Sequence, residues 1–214
     1  MLRVGVLISG RGSNLKSLIE ACATPGFPAQ IVCVISNKAD AKGLEYAHSA
    51  SIPALVISHK DFADRQSFEA AVDMTLEQHE VELVCLAGFM RVLTSWFVER
   101  WRDKLVNIHP SLLPAFPGVD THKKAIEYGT KLAGVTIHYV RAEMDHGPII
   151  LQAAVPVLHD DNEDTLAARV LKAEHKAYPA ALRLIAENRV NIFNERAFII
   201  DAAPSGEVLF NPKA

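Results

Sequence analysis

Cysteine, basic charge and long apolar runs are all scarce in this sequence. Its 214 residues include three cysteines (Cys22, Cys33 and Cys85), which are widely spaced and form no Cys-x-x-Cys pair. We interpret them as buried thiols of a reducing compartment. No apolar run approaches the ~20 residues that span a bilayer, and a net charge of -3 provides no basic field for nucleic acid. The sequence therefore predicts a cytoplasmic protein that binds neither membrane nor nucleic acid.

Several common catalytic motifs are also absent. The nine histidines show no His-Glu-x-x-His or comparable ligand spacing, so we expect no metal. There is no Gly-x-Ser-x-Gly nucleophile elbow, and the Gly-Lys-Ser/Thr of a Walker loop is missing. We therefore expect chemistry without a protein nucleophile, in which the substrate brings its own.

Short apolar runs alternate with helical patterns through the first two thirds of the chain. Runs rich in valine, isoleucine and leucine predict strands at residues 4–8, 31–35, 54–57 and 83–87. The segments between them have helical spacing, at residues 15–23, 41–50 and 62–79. Because such alternation is typical of parallel sheets covered on both faces, we predict an α/β fold with a mostly parallel, doubly wound central sheet.

From Leu105 onward the pattern changes, and we expect antiparallel strands toward the C-terminus. Extended runs predict strands at residues 105–108, 134–140 and 148–157, and three prolines between positions 110 and 117 predict a loop. Residues 164–187 have helical spacing, and we expect Pro179 to kink or divide that helix. Further short strands are predicted at residues 197–200 and 208–210.

A glycine-rich turn, Gly-Arg-Gly-Ser-Asn at residues 10–14, lies between the first predicted strand and the first helix. Backbone N–H groups converge on anions at such helix N-termini; Gly12 permits close approach, and Ser13 and Asn14 can add donors. The alternative is an ordinary turn in which Ser13 or Asn14 caps the helix and no ligand binds. Because Leu15 replaces the last glycine of the dinucleotide fingerprint, the turn suits a monophosphate better than NAD.

Two polar residues mark the end of the strand predicted at residues 105–108. Asn107 and His109 are two positions apart, so both can project to one side and donate to an oxyanion. A histidine at a strand end is also commonly just part of the hydrogen-bonded structure. Asp145 lies in a turn before Gly147 and Pro148, where it could merely shape the turn. If Asp145 instead faces His109, it would favour and orient the imidazolium.

Three segments together resemble a known family. They are Leu-Ala-Gly-Phe-Met-Arg-Val-Leu at residues 86–93, Asn-Ile-His-Pro-Ser-Leu-Leu-Pro at residues 107–114 and Met-Asp-His-Gly-Pro at residues 144–148. With the Gly-Ser-Asn turn at residues 12–14, they resemble the phosphoribosylglycinamide formyltransferases. The resemblance implies an enzyme of de novo purine (IMP) biosynthesis. Such an enzyme transfers the formyl group of 10-formyltetrahydrofolate to the amino group of glycinamide ribonucleotide.

The resemblance also implies roles for residues of this sequence. The catalytic residues would be Asn107, His109 and Asp145, which would stabilise the oxyanion and assist direct attack by the substrate amine. The ribonucleotide would be bound by Gly12, Ser13, Asn14 and Glu174. The folate would contact Arg65, Met90, Arg91, Val92, Leu93, Asn107, Val140 and Asp145. We expect a single domain over residues 1–214, with a phosphate-binding, Rossmann-like half at 1–100 and a catalytic, folate-binding half at 101–214.

Related activities remain as alternatives. Methionyl-tRNA formyltransferases carry a further basic domain and formyltetrahydrofolate deformylases an N-terminal regulatory domain, so length and acidity lead us to expect the purine enzyme. The alternatives kept are a deformylase, in which water replaces the amine, and a non-catalytic nucleotide-binding module. His146 departs from the family pattern, since many members have a small residue there. The expected partners are small molecules only, bound by a monomer or homodimer.

Overall fold

The computed structural model describes residues 1–202 and 211–212, and its strands form two sheets. The central sheet contains β1 (Leu2–Ile8), β2 (Ala29–Ser36), β3 (Ala54–Val56), β4 (Leu83–Leu86), β5 (Leu105–His109), β6 (Leu132–Tyr139) and β7 (Ile149–Pro156). A separate hairpin consists of β8 (Val190–Phe193) and β9 (Arg196–Ile199). The central order is β3-β2-β1-β4-β5-β6-β7, in which β1 to β5 pair in parallel, whereas β6 and β7 are antiparallel.

Helices cover both faces of the central sheet. They are α1 (Ser13–Cys22), α2 (Gly43–Ser49), α3 (Arg65–Gln78), α4 (Ser95–Arg100), α5 (Thr121–Glu127) and α6 (Glu163–Ala186), with a 3₁₀ turn at His59–Asp61. The side chains of Asp64 and Asn162 accept hydrogen bonds from backbone N–H groups in the first turns of α3 and α6, and complete capping boxes there. Local sequence therefore determines where these two long helices begin.

The strands are apolar on both faces because successive side chains enter two different layers of core. Val4 and Val6 of β1 pack with residues of α1 and α6, whereas Leu7 packs with residues of α3 and α4. All three side chains are fully buried. This arrangement explains why the first strands read as continuous apolar runs, and it confirms the predicted parallel sheet covered on both faces.

The elements of the C-terminal half agree only in part with those predicted from the sequence. The antiparallel strands toward the C-terminus are confirmed, but α4, α5 and β8 were not predicted, because elements of 4–7 residues present too little periodicity. The strand predicted at residues 197–200 corresponds to β9, whereas the one predicted at residues 208–210 lies outside the described residues.

Of the two effects expected of Pro179, a kink or a division of the last helix, division is wrong. Helix α6 runs through the proline for 24 residues. Pro179 removes one backbone donor, but Tyr178, Ala181 and Leu182 on either side of it are buried against the core. The Tyr178 hydroxyl also lies 3.1 Å from the carbonyl oxygen of Leu86 and 3.2 Å from that of Val106. Packing and this polar contact hold the helix to β4 and β5 despite the missing bond.

The chain changes direction across the sheet between β1 and β4. Strands β2 and β3 lie on one side of β1, and β4 to β7 lie on the other. Ligands of open α/β sheets bind outside the carboxyl ends of the strands at such a switch point. The glycine turn after β1 and residues 87–94 after β4 therefore flank the crevice where a ligand is expected.

Candidate active site

The glycine turn leaves the N-terminus of α1 without a side-chain cap. Gly12 is the N-cap residue in the left-handed conformation (φ 73°), and no side chain accepts a hydrogen bond from the first turn. No acidic residue occupies that turn. Backbone N–H groups at such an end are free to bind an anion, and the helix dipole adds attraction. The turn is thus built as the phosphate-binding interpretation requires, although its role remains a prediction.

Close packing against α2 explains why position 12 is glycine. A Cβ built on Gly12 would lie 2.4 Å from the Cα of Gly43, and the N–H of Gly43 donates to the carbonyl of Gly10 at 3.0 Å. The turn therefore rests directly on the backbone of the neighbouring helix. Gly43 was not singled out from the sequence, since nothing local marks a glycine at a helix start as a contact.

Replacing Gly12 by alanine is expected to destabilise the protein by about 1–3 kcal/mol, because both the positive φ and the short contact resist a Cβ. Gly10→Ala is the matched control, since a Cβ at Gly10 would meet no described heavy atom within 4 Å. Urea unfolding of both variants without ligand measures the difference. Equal stability of the two variants would contradict this explanation of the turn.

Asn14 and Glu174, 160 positions apart, meet beside the turn. The Asn14 Nδ2 donates to Glu174 Oε2 at 2.7 Å, and Glu174 is 8 % exposed. Burial raises the pKa of Glu174, while the Asn14 hydrogen bond and the nearby His175 and His109 act in the opposite direction. The Asn14 Oδ1 is buried and has no hydrogen-bond partner among the described residues. This pair joins α6 to the turn and places further polar groups beside it.

Asn107 is oriented by a histidine on the adjacent strand. Asn107 and His138 are opposite each other in the β5–β6 pair, and Asn107 Nδ2 lies 3.4 Å from His138 Nε2. The His138 Nδ1 lies 2.9 Å from the carbonyl of Tyr139, which can only accept. Burial lowers the pKa of His138, which favours the neutral ring. We therefore assign the proton to Nδ1, so that Nε2 accepts from Asn107 and the second amide hydrogen stays available.

His109 and Asp145 are in contact. The His109 Nδ1 lies 3.3 Å from Asp145 Oδ1, and both side chains are buried to nine tenths or more. The His109 Nε2 lies 3.0 Å from the carbonyl oxygen of Phe116. An imidazolium can donate to both oxygens, whereas a neutral ring can donate to only one of them. The other oxygen of Asp145 accepts from the Gly118 N–H at 2.6 Å, so the carboxylate joins two loops.

Most of the residues expected to bind folate lie on two loops, whereas Arg65 is on α3 and Asn107 on β5. Met90 (76 % exposed) and Val92 (57 % exposed) follow β4, while Arg91 and Leu93 are half-buried. Val140 directly follows β6 and is half-buried against the layer of core that contains Leu93. The Arg91 Nε is buried without a hydrogen-bond partner among the described residues. Apolar surface that stays exposed on a loop, together with an unpaired polar atom, is typical of a ligand site.

Two buried polar side chains hold the loop after β4. The Ser9 hydroxyl accepts from the Met90 N–H at 2.8 Å and donates to Asn37 Oδ1 at 2.6 Å. At the other end, the carboxylate of Glu69 on α3 accepts hydrogen bonds from the backbone N–H and the hydroxyl of Thr94. Arg65 lies one helical turn before Glu69 and is exposed, so it shares the face of α3 that meets this loop.

Sequence reasoning missed Ser9, Asn37, Glu69 and His138. Each is polar and at most 4 % exposed within otherwise apolar surroundings. A buried polar side chain needs a partner, so polar residues inside strand or helix cores were the available clue. Glu174, from the half expected at residues 101–214, contacts Asn14 in the half expected at residues 1–100. The division into a phosphate-binding half and a catalytic, folate-binding half stays a prediction.

Two negative observations apply to residues 1–202 and 211–212. No three of their His, Cys, Asp and Glu side chains form a group that could hold a metal ion. None of the helices in this part of the chain is both long and apolar enough to cross a membrane.

Comparison with known proteins shows similarity to formyltransferases. Residues 2–182 match the family described as "Formyl transferase". A phosphoribosylglycinamide formyltransferase from Haemophilus influenzae is 41% identical over 199 residues, which is 93% of this chain and 94% of the relative. The human trifunctional purine biosynthetic protein adenosine-3 is 50% identical over 190 residues, or 89% of this chain. This chain spans only 19% of that longer protein.

Solved structures of similar proteins include the same family. Glycinamide ribonucleotide transformylase 1 from Symbiobacterium toebii has a TM-score of 0.92 at 46% identity, and the match covers 94% of this chain and 95% of that chain. A formyltetrahydrofolate deformylase from Pseudomonas syringae is more distant in sequence, at 28% identity and a TM-score of 0.87. That match covers 94% of this chain and 66% of the deformylase.

Proposed function

The chain belongs to the phosphoribosylglycinamide formyltransferases, and from this membership we propose that it transfers a formyl group from 10-formyltetrahydrofolate to glycinamide ribonucleotide in de novo purine biosynthesis. The observation that carries the proposal is the position of His109 and Asp145. Their buried pair joins the end of β5, which also carries Asn107, to the β6–β7 loop, and His109 is near enough to Glu174 to lower the pKa of that carboxyl.

The ribonucleotide is held at the switch point of the sheet. Its phosphate binds the N-terminal backbone groups of α1 at Gly12, Ser13 and Asn14. Glu174, fixed by Asn14 at 2.7 Å, accepts hydrogen bonds from ribose hydroxyls.

The reduced folate occupies the crevice between the loop after β4 and the loop after β6. Met90 and Val92 offer apolar surface to its rings, and the unpaired Arg91 Nε offers a donor. Arg65, exposed at the start of α3, is placed to attract the glutamate carboxylates of the folate tail. Ser9 and Glu69 stiffen this loop beforehand, which lowers the entropy lost on binding.

The reaction forms one bond and breaks another. The nitrogen of the neutral glycinamide amine bonds to the formyl carbon, and the bond from that carbon to the folate nitrogen breaks. Asn107 donates its free amide hydrogen to the formyl oxygen, and protonated His109 donates the second hydrogen bond as negative charge develops. For this, His109 Nε2 exchanges its contact with Phe116 for the substrate oxygen. Asp145 holds the ring and assists the proton's passage from the amine to the folate nitrogen.

The cellular setting is also proposed. Cys22, Cys33 and Cys85 are free, and burial raises the pKa of the Cys33 thiol to about 12. Such thiols are unreactive core residues, in keeping with a reducing compartment such as the cytoplasm. The protein acts as a monomer or homodimer on small molecules only.

The purified protein is expected to consume 10-formyltetrahydrofolate only when glycinamide ribonucleotide is present, with little free formate released. The absorbance of the folate product and an enzymatic formate assay measure both quantities in one sample. Formate release at the same rate without the ribonucleotide would instead establish the deformylase. Binding of ribonucleotide without any folate binding would establish the non-catalytic module.

A further inference from the structure

A cluster of four charges lies at the base of the loop that carries Asp145. The side chain of Arg141 is 11% exposed, and all three of its guanidinium nitrogens are engaged. Its Nε donates to Glu195, and its Nη2 donates to Asp103 at 2.7 Å. Its Nη1 donates to the carbonyl oxygen of Val140 at 3.1 Å. Arg102 donates to Glu195 at 2.6 Å from the other side. None of these residues touches the catalytic groups described above.

The cluster joins three segments that are distant in sequence. Asp103 lies between α4 and β5, Arg141 directly follows β6, and Glu195 lies in the turn of the β8–β9 hairpin. Because Glu195 bonds both Arg102 and Arg141, the hairpin is linked to the segment before β5 and to the segment after β6. This gives the C-terminal hairpin a contact with the loop that bears a proposed catalytic residue.

Two contacts join the ends of the β6–β7 loop, and Arg141 takes part in one of them. The N–H of Tyr139 donates to the carbonyl of Pro148 at 2.9 Å across the loop ends. A Cβ built on Gly147 would lie 3.2 Å from Cγ of Arg141, so the arginine stem packs against the far end of the same loop. Between these ends Asp145 has a left-handed backbone (φ 53°). Aspartate is among the non-glycine residues that adopt this conformation readily, and here the carboxylate reaches His109 from it.

The degree of burial of each charged side chain determines how much its ion pairs stabilise the base of the loop. Exposed ion pairs contribute little on their own, and the side chains of Asp103 and Glu195 are about half exposed. The Arg141 guanidinium is different, because it is nearly buried and each nitrogen has an acceptor in a fixed direction. Loss of the arginine would free the loop base and leave its partners without a common donor.

We propose that Arg141 is a positioning residue for the formyl transfer, held by Asp103 and Glu195, which sets the β6–β7 loop so that Asp145 reaches His109. The inference rests on the proposed function and deepens it. Arg141 acts through Asp145 and through the folate-lining part of the loop, and makes no contact with the ribonucleotide side.

Arg141→Met is expected to raise KM for the folate and lower kcat, each by about tenfold, because small misplacement of a catalytic group is costly. KM for the ribonucleotide should stay within about twofold, since the Gly12 turn and Glu174 are untouched. Arg141→Lys, which keeps the charge, should recover part of the loss. Arg169→Met is the matched control, because Arg169 is also partly buried and pairs with Asp161 away from the loop.

A double-mutant cycle separates positioning from general damage. In an Asp145→Asn background, Arg141→Met should lose most of its effect on kcat, because the group it positions is already disabled. Titration with an unreactive folate analogue gives the folate affinity without turnover. If Arg141→Met does not fold, as judged by its thermal transition, Glu195→Gln serves in the same cycle, since it removes a charge at nearly constant shape.

Additive effects of Arg141→Met and Asp145→Asn on kcat would overturn the inference, as would an equal rise in KM for both substrates. Absence of transfer and of folate binding in the wild-type protein would instead remove the proposed function itself. If the wild-type protein is active but Arg141→Met raises KM equally for both substrates, the role of Arg141 is contradicted while the proposed function stands.

Discussion

Replacing His109 by alanine is expected to lower kcat for formyl transfer by about 10²–10³, because one of the two oxyanion donors is lost. The imidazole is 5 % exposed and lies between the Asp145 carboxylate and the Phe116 carbonyl. No other described side chain occupies this position between the two oxygens. The ribonucleotide should still bind, because neither the glycine turn nor the Asn14–Glu174 hydrogen bond includes an atom of this ring.

Steady-state kinetics with both substrates, together with isothermal titration of the ribonucleotide, measures this prediction. His159→Ala is the control, since the side chain of His159 is 97% exposed. A His109→Ala enzyme that folds and keeps near-normal turnover would show that another group stabilises the oxyanion.

Replacing Asp145 by asparagine is expected to lower kcat by about 10²–10⁴, the range for a group that manages protons in the transition state. The carboxylate faces two donors, His109 Nδ1 at 3.3 Å and the Gly118 N–H at 2.6 Å. An amide can accept at only one of these places and must direct its NH₂ group at the other. The variant therefore either turns the ring or releases the loop at Gly118.

Steady-state kinetics of Asp145→Asn with both substrates measures this prediction. Because the carboxylate contacts His109 and Gly118 and not the glycine turn, kcat should fall while KM for the ribonucleotide changes little. Asp160→Asn is the control, because Asp160 is exposed and pairs with the exposed His159. Wild-type kcat in Asp145→Asn would refute the assignment of this carboxylate.

The sequence placed the candidate residues on the correct ends of strands. Asn107 and His109 could be located because a short apolar strand ends at a proline, and the parallel order put their ends at the ligand edge. It could not bring Asp145 to His109, since their contact depends on the path of the β6–β7 loop. Asn14 and Glu174 illustrate the same limit, because α6 must dock on the sheet before the two can meet.

Other features depended on packing that has no local pattern. The pairing of Asn107 with His138 follows from the register between β5 and β6, which are separated in the chain by a loop and α5. Pro179 was expected to interrupt α6 on backbone grounds, whereas the buried Tyr178 beside it holds the helix in place. Tertiary contacts outweighed a local rule at that position.

A single-turnover experiment tests the central claim most directly, namely direct transfer to an amine assisted by Asn107, His109 and Asp145. Excess enzyme is mixed with 10-formyltetrahydrofolate labelled with ¹⁴C in the formyl group, glycinamide ribonucleotide and a large pool of unlabelled formate. We predict that nearly all label appears in the formylated ribonucleotide, undiluted by the pool, and that His109→Ala slows its appearance. Label recovered as formate, or diluted by unlabelled formate before it reaches the ribonucleotide, would contradict direct transfer.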